Sequence, residues 1–115
     1  MNNHHAKNLK IDKFSIVDIE KDIVSLQDCM DFSKRIEALM DLKEMDLVLN
    51  FSKESSVTGS FLGFLVEKVR AIKNYDGQIV IIASNDYLRE LFSTSFMNAL
   101  VPVYSSLEEF KKTLV

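Results

Sequence analysis

The sequence predicts an α/β domain: a mixed, mostly parallel β-sheet of about four to five strands packed with about four helices. Three observations lead there. Short β-branched runs, such as Ile79-Val80-Ile81-Ile82, are bounded by turn residues. Apolar stripes at steps of three and four lie between them. From residue 27 onward the two periods alternate, which implies βαβ crossovers and a largely parallel sheet.

The elements follow in order. Residues 1–8, MNNHHAKN, carry no hydrophobic period and read as a flexible, frayed terminus. Residues 9–20 are strand-like, with Phe14 and Ile16 alternating with Val17 and Ile19 across two faces. An N-terminal hairpin here makes the sheet mixed. Residues 27–41 change period: Cys29, Phe32, Ile36, Leu39 and Met40 form one stripe against Asp28, Asp31, Lys34, Arg35 and Glu37. Leu47-Val48-Leu49-Asn50-Phe51 has apolar residues on both faces, as a strand covered by helices on each side requires. A second helix over 59–73 carries Leu62, Leu65, Val66, Val69 and Ile72 as its stripe. Asn74-Tyr75-Asp76-Gly77 stops it, with Asn and Gly suited to left-handed backbone. Residues 78–83 form another buried strand. Ser84 or Asn85 caps a third helix with Leu88, Leu91 and Phe92 inward. Residues 100–104 read as a strand that Pro102 confines to an edge. Ser106 and Glu109 form a capping box for the last helix, whose stripe is Leu107, Phe110 and Leu114. Three glycines and one proline leave little room for long loops. Residues 9–115 therefore form one domain.

Composition narrows the function classes. Apolar residues make up 47% and charged residues 27%, the balance of a globular chain. No run approaches the length of a membrane span, and no apolar segment near residue 1 resembles a signal peptide. A single cysteine, Cys29, rules out an internal disulfide framework and fits a reducing cytoplasm. The net charge of −3, with both signs interspersed, argues against a nucleic-acid or acidic-membrane surface. No direct membrane insertion is expected.

From Leu47 to Phe110 the sequence resembles the STAS domain, shared by bacterial anti-sigma-factor antagonists and the cytoplasmic tails of sulfate transporters. In that family a strand of the type v-l-D-l-s leads to a D-S-S-G-L-G motif opening the next helix. Here Asn50-Phe51-Ser52 is followed at the matching distance by Thr58-Gly59-Ser60-Phe61-Leu62-Gly63. The helix, turn, strand and L-F ending that come next look like Val69 to Ile72, Asp76-Gly77, residues 78–82 and Arg89-Glu90-Leu91-Phe92. The closing y-s-S-l-e-e-a resembles Tyr104 to Phe110. The resemblance implies a regulatory protein-binding module that docks an anti-sigma factor or kinase-like partner around residues 52–68. A non-phosphorylatable STAS subunit of a larger signalling or transport complex is the alternative.

The departures from the motif bear on regulation. In phosphorylatable relatives the first serine of D-S-S-G accepts phosphate from an anti-sigma kinase. Aligned through Leu62-Gly63, that position is Gly59, which has no hydroxyl. The aspartate becomes Thr58, the second serine stays as Ser60, and the glycine becomes Phe61. The upstream G-E-L-D signature becomes Lys21-Asp22-Ile23-Val24. The resemblance thus implies partner contacts at Thr58, Gly59, Ser60, Phe61, Gly63 and Phe64.

Read physically, Thr58 is placed to cap the N–H groups opening the second helix, worth on the order of 1 kcal/mol. Ser60, Thr58, Ser56 and Ser55 are alternative acceptors for a phosphate, which a helix N-terminus tolerates. Their bland reading is caps and loop polarity. No Walker-type phosphate loop is present. Phe61 has two readings, an exposed interface anchor or a core residue beside Phe64. Elsewhere, His4-His5 lacks further metal ligands, and no metal or other cofactor is expected. Cys29 sits on an apolar stripe as a core residue. Asp41, Glu44 and Asp46 read as solvated charges, and Met30, Met40, Met45 and Met97 as core fillers. No enzyme constellation emerges.

Overall fold

The computed structural model describes residues 9–51, 56–94 and 97–114. The expected tail at residues 1–8 and the loop serines Ser52 and Ser55 lie outside the described residues. The elements are β1 (Lys10–Ile11), β2 (Phe14–Asp18), α1 (Leu26–Asp41), β3 (Asp46–Phe51) and α2 (Gly59–Asn74). They continue with β4 (Gln78–Ala83), α3 (Asp86–Thr94), α4 (Met97–Leu100), β5 (Val103–Tyr104) and α5 (Leu107–Lys112).

Strand order follows sequence order, β1-β2-β3-β4-β5. The β1–β2 pair is antiparallel, and the other three pairs are parallel. The hairpin turns at Asp12, whose φ of 56° is tolerated by a short polar side chain. Sequential order with right-handed crossovers sends the helices between parallel strands to one face. Accordingly Cys29, Phe32, Ile36 and Leu39 of α1, Leu65 and Ile72 of α2, and Leu88 and Phe92 of α3 share one core with Val17, Leu49 and Ile81. The opposite face holds a smaller core, where Phe110 of α5 covers Phe14, Val48, Val80 and Ile82. Both faces of β3 and β4 are therefore covered, which is why their sequences are almost continuously apolar. Short β5 lies at the sheet edge, as Pro102 requires.

Helix ends show where local chemistry departs from the sequence reading. α1 starts at Leu26, capped by Ser25 in a full capping box. The Asp28 N–H donates to Ser25 Oγ and the Ser25 N–H to Asp28 Oδ2, both at 3.0 Å. α1 and α2 both end in Schellman motifs. Glu44 N–H donates to Leu39 O and Lys43 N–H to Met40 O, and Gly77 N–H to Ile72 O and Asp76 N–H to Lys73 O. The left-handed residues are Lys43 (φ 64°) and Asp76 (φ 62°), not Gly77. Gly77 serves close approach instead: a Cβ there would lie 2.3 Å from Met45 O.

Leu100 closes α4 as a helical residue, so β5 keeps only two residues of the expected strand. Asn85 caps α3, with Leu88 N–H donating to its Oδ1 at 2.7 Å. Ser106 accepts from Glu109 N–H at 3.0 Å, but the Glu109 carboxylate bonds Ser105 N–H rather than closing the box on Ser106. Met97 is buried and Met40 and Met45 pack against the core, whereas Met30 is 40% exposed. Met30 is thus not a core filler, because the α1 stripe turns it outward.

Candidate functional site

In parallel sheets, ligands and partners meet the loops outside the carboxyl ends of the strands. At that end, a strap of residues 19–24 leaves β2 and ties down the approach to α2. Ile19 N–H donates to Asn50 O at 2.9 Å and Ile23 N–H to Ser56 O at 2.8 Å, and Thr58 N–H returns to Ile23 O at 3.2 Å. Asp22 Oδ1 accepts from Ser56 N–H at 2.8 Å. A parallel bridge between Ile23 and Val57 completes the seam. From the other side the Tyr87 hydroxyl reaches Val57 O at 3.4 Å. The entry to α2 is therefore held from β2 and from α3 at once.

Beneath it, Asp18 and Asn50 face each other in register at the ends of β2 and β3. Asn50 Nδ2 donates to Asp18 Oδ1 at 2.8 Å, and Arg35 donates to the Asp18 carbonyl at 2.8 Å. Asn50 Oδ1 is buried and has no hydrogen-bond partner among the described residues. α1 and α2 are locked side by side by an ion pair, the largely buried Lys68 Nζ to Glu37 Oε2 at 2.6 Å. The Lys68 stem is buried between the helices while its ammonium reaches the exposed Glu37 carboxylate, so the pair ties α2 to α1.

The expected site residues divide sharply. Gly59, Ser60 and Gly63 are exposed, Phe64 and Thr58 are half-buried, and Ser56 is exposed. Thr58 occupies the N-cap with extended backbone, yet its side chain makes no cap hydrogen bond. The capping role read from its hydroxyl is not taken up. Phe61 is fully buried, its ring edge-on to Phe32 at 4.9 Å and to Phe51 at 6.1 Å. Of its two readings the inward one is observed, so Phe61 supports the α2 surface from below and presents no face to a partner. The reason lies in the inward face of α2, which runs Phe61, Leu65, Lys68, Val69, Ile72. It shares Leu65, Val69 and Ile72 with the expected stripe but takes in Phe61 and Lys68 in place of Leu62 and Val66, which are only partly buried.

What remains outward on the first two turns of α2 is small and uncharged: Gly59, Ser60 and Gly63. A Cβ on either glycine would meet nothing within 4 Å. Internal packing therefore does not require glycine there, although each helical glycine costs about 1 kcal/mol relative to alanine. The exposed aromatic of this end is Tyr87 (58% exposed), which sequence reasoning passed over. Its position off the Leu88–Leu91–Phe92 stripe was the available signal. Asp22 was also missed, because its partner is 34 residues away.

Two titratable groups near this end are shifted by their surroundings. Burial, and secondarily the charge of Asp28, pushes the Cys29 thiol up, so it stays protonated near neutrality. Hydrogen bonds from the backbone of Ser25 and Val24 hold Asp28 below the usual carboxylate range. Among the described residues no group of three His, Cys, Asp or Glu could hold a metal, and no helix is long and apolar enough to cross a membrane.

The architecture matches solved structures. A Thermotoga maritima protein described as a candidate anti-sigma factor antagonist superposes with a TM-score of 0.80 at 17% identity, over 96% of this chain and 94% of that one. The phosphorylated form of the Bacillus cell fate determinant SpoIIAA gives 0.65 at 11% identity, over 93% and 96%. A sulfate transporter family protein from Wolinella succinogenes gives 0.69 at 13% identity, over 95% and 93%. No protein-family model and no curated protein sequence matches the chain. The chain has the STAS fold, as seen in anti-sigma-factor antagonists.

Proposed function

We propose that this chain is a non-enzymatic regulatory module of the anti-sigma-factor-antagonist kind, docking an anti-sigma factor or kinase-like protein through the start of α2. The observation that carries the reading is the outward face of Gly59, Ser60 and Gly63, two of them glycines that the fold itself does not need. Small residues let a partner backbone approach closely, and the rigid support beneath, Phe61 on Phe32 and Phe51, keeps that surface pre-formed. Thr58 and Phe64 flank the contact. SpoIIAA, which shares the fold, is an anti-sigma factor antagonist known in unphosphorylated and phosphorylated forms. In this chain the corresponding motif position is Gly59, so no phosphate is carried there and docking is governed by partner abundance. Ser60, Thr58 and Ser56 are the hydroxyls left near it for an alternate modification.

The test is capture from the native host with wild type and Gly59→Asp as paired baits. Gly59 is exposed at the first turn, where an added carboxylate is compatible with the helix and mimics the charge of a phosphate. Loss of a regulator from the variant bait supports the reading, and equal capture removes this face from the interface. The transporter likeness supports a second reading, a structural subunit of a larger complex. Transporter or scaffold subunits on the wild-type bait, with no sigma regulator, would favour it.

A further inference from the structure

A pocket of about 110 Å³ opens between the strap of residues 19–24 and the first turns of α1. Its floor is apolar, with Ile19, Ile23 and Phe32 all buried. Four carboxylates stand around it, Glu20, Asp22, Asp28 and Asp31, against two cations, Lys21 and Arg35. Backbone N–H groups donate to Asp22 at 2.8 Å and to Asp28 at 3.0 Å, and these bonds hold the Asp28 carboxyl below the usual range. One guanidinium N–H of Arg35 is already committed to the Asp18 carbonyl. The surroundings are thus net negative over an apolar base.

Size decides the class of guest. Small-molecule sites run to about 300–1,000 Å³, and a cavity of about 150 Å³ is filled by benzene. This pocket suits the end of one side chain. We propose that it receives a single lysine or arginine side chain of a partner protein, the aliphatic stem on Ile23 and Phe32 and the cationic head among Glu20, Asp22 and Asp31. The inference rests on the docking reading and adds the partner's chemistry: a basic residue at the rim of an interface centred on the start of α2. Val24 and Leu26, 52% and 66% exposed, continue the apolar surface beside the strap.

The experiment is a ¹⁵N chemical-shift titration of the whole chain with Nα-acetyl-arginine amide, with Nα-acetyl-norleucine amide as the uncharged stem. Saturable shifts are expected at the amides of residues 19–23, 28, 31, 32 and 35, from the arginine probe only. Asp31 is exposed, with a hydrogen bond from the Gln27 side chain, so Asp31→Lys leaves the fold intact and weakens the probe roughly fivefold. The proposal is overturned if no localised shifts appear. It is equally overturned if norleucine amide moves the same amides as far, or if Asp31→Lys binds as well as wild type. The probe is not a partner, so the pocket can fail while docking through α2 stands, and the reverse.

Discussion

Phe61→Ala separates the two roles open to this residue. The ring is fully buried between Phe32 and Phe51. An aromatic side chain buries about 150 Å² or more, and at about 25 cal/mol per Å² its removal forfeits up to about 4 kcal/mol. The cavity left behind and the lost edge-to-face pairs keep the total within about 3–5 kcal/mol. Typical domains hold about 5–15 kcal/mol in all, so the variant should fold but with a much reduced margin. Urea denaturation followed by far-UV circular dichroism reads this directly, as a fall in midpoint at unchanged slope. At low temperature, where the variant stays folded, partner capture should persist, because Phe61 has no exposed face. A loss of stability below about 1 kcal/mol together with abolished capture would refute the reasoning and make Phe61 an interface anchor.

Other perturbations follow from single contacts. Gly77→Ala should cost about 1–3 kcal/mol in the same assay, since its Cβ would lie 2.3 Å from the Met45 carbonyl; a neutral result would mean that the β3–β4 entry shifts freely. Lys43→Gly should stabilise by about 0.5–1 kcal/mol, because a left-handed φ of 64° suits glycine, and a destabilised variant would show that the lysine side chain is needed there. Glu44 accepts from Lys10 Nζ at 2.7 Å and Ser15 Oγ at 2.5 Å, and these bonds hold its carboxyl below the usual range. Its stabilisation is present above the ordinary glutamate range and is lost as pH falls through the lowered folded value. Glu44→Gln should therefore lose stability at neutral pH and show a shallower acid slope in thermal melts; an unchanged slope would assign the acid sensitivity elsewhere.

The strands and their layering were legible because burial on both faces leaves a direct mark. Leu47-Val48-Leu49-Asn50-Phe51 and Ile79-Val80-Ile81-Ile82 admit almost no polar residue, and the structure covers both sides of each. The face of α2 was less legible. Phe61, Leu62, Phe64, Leu65 and Val66 crowd one stretch, so periodicity alone leaves the inward direction open by about one residue. Packing against Phe32 of α1 settles it, and that is a contact 29 residues distant. Ser25-Leu26-Gln27-Asp28 did carry a capping signature in plain view. Gly77 illustrates the opposite case. Its type was informative, but the constraint was the approach of Met45 rather than the backbone angle. The seam between the strap and residues 56–58 left no local trace, since Asp22 and Ser56 meet only once the sheet has formed.

Docking through the start of α2 is tested most directly by amide hydrogen exchange on the chain alone and in complex with the regulator captured from its host. New protection is expected in residues 56–67 and the adjoining strap, 19–24, with the opposite ends of α1 and α2 unchanged. Protection gathered instead around Leu42 and Tyr75, the exposed apolar residues at those far ends, would contradict it.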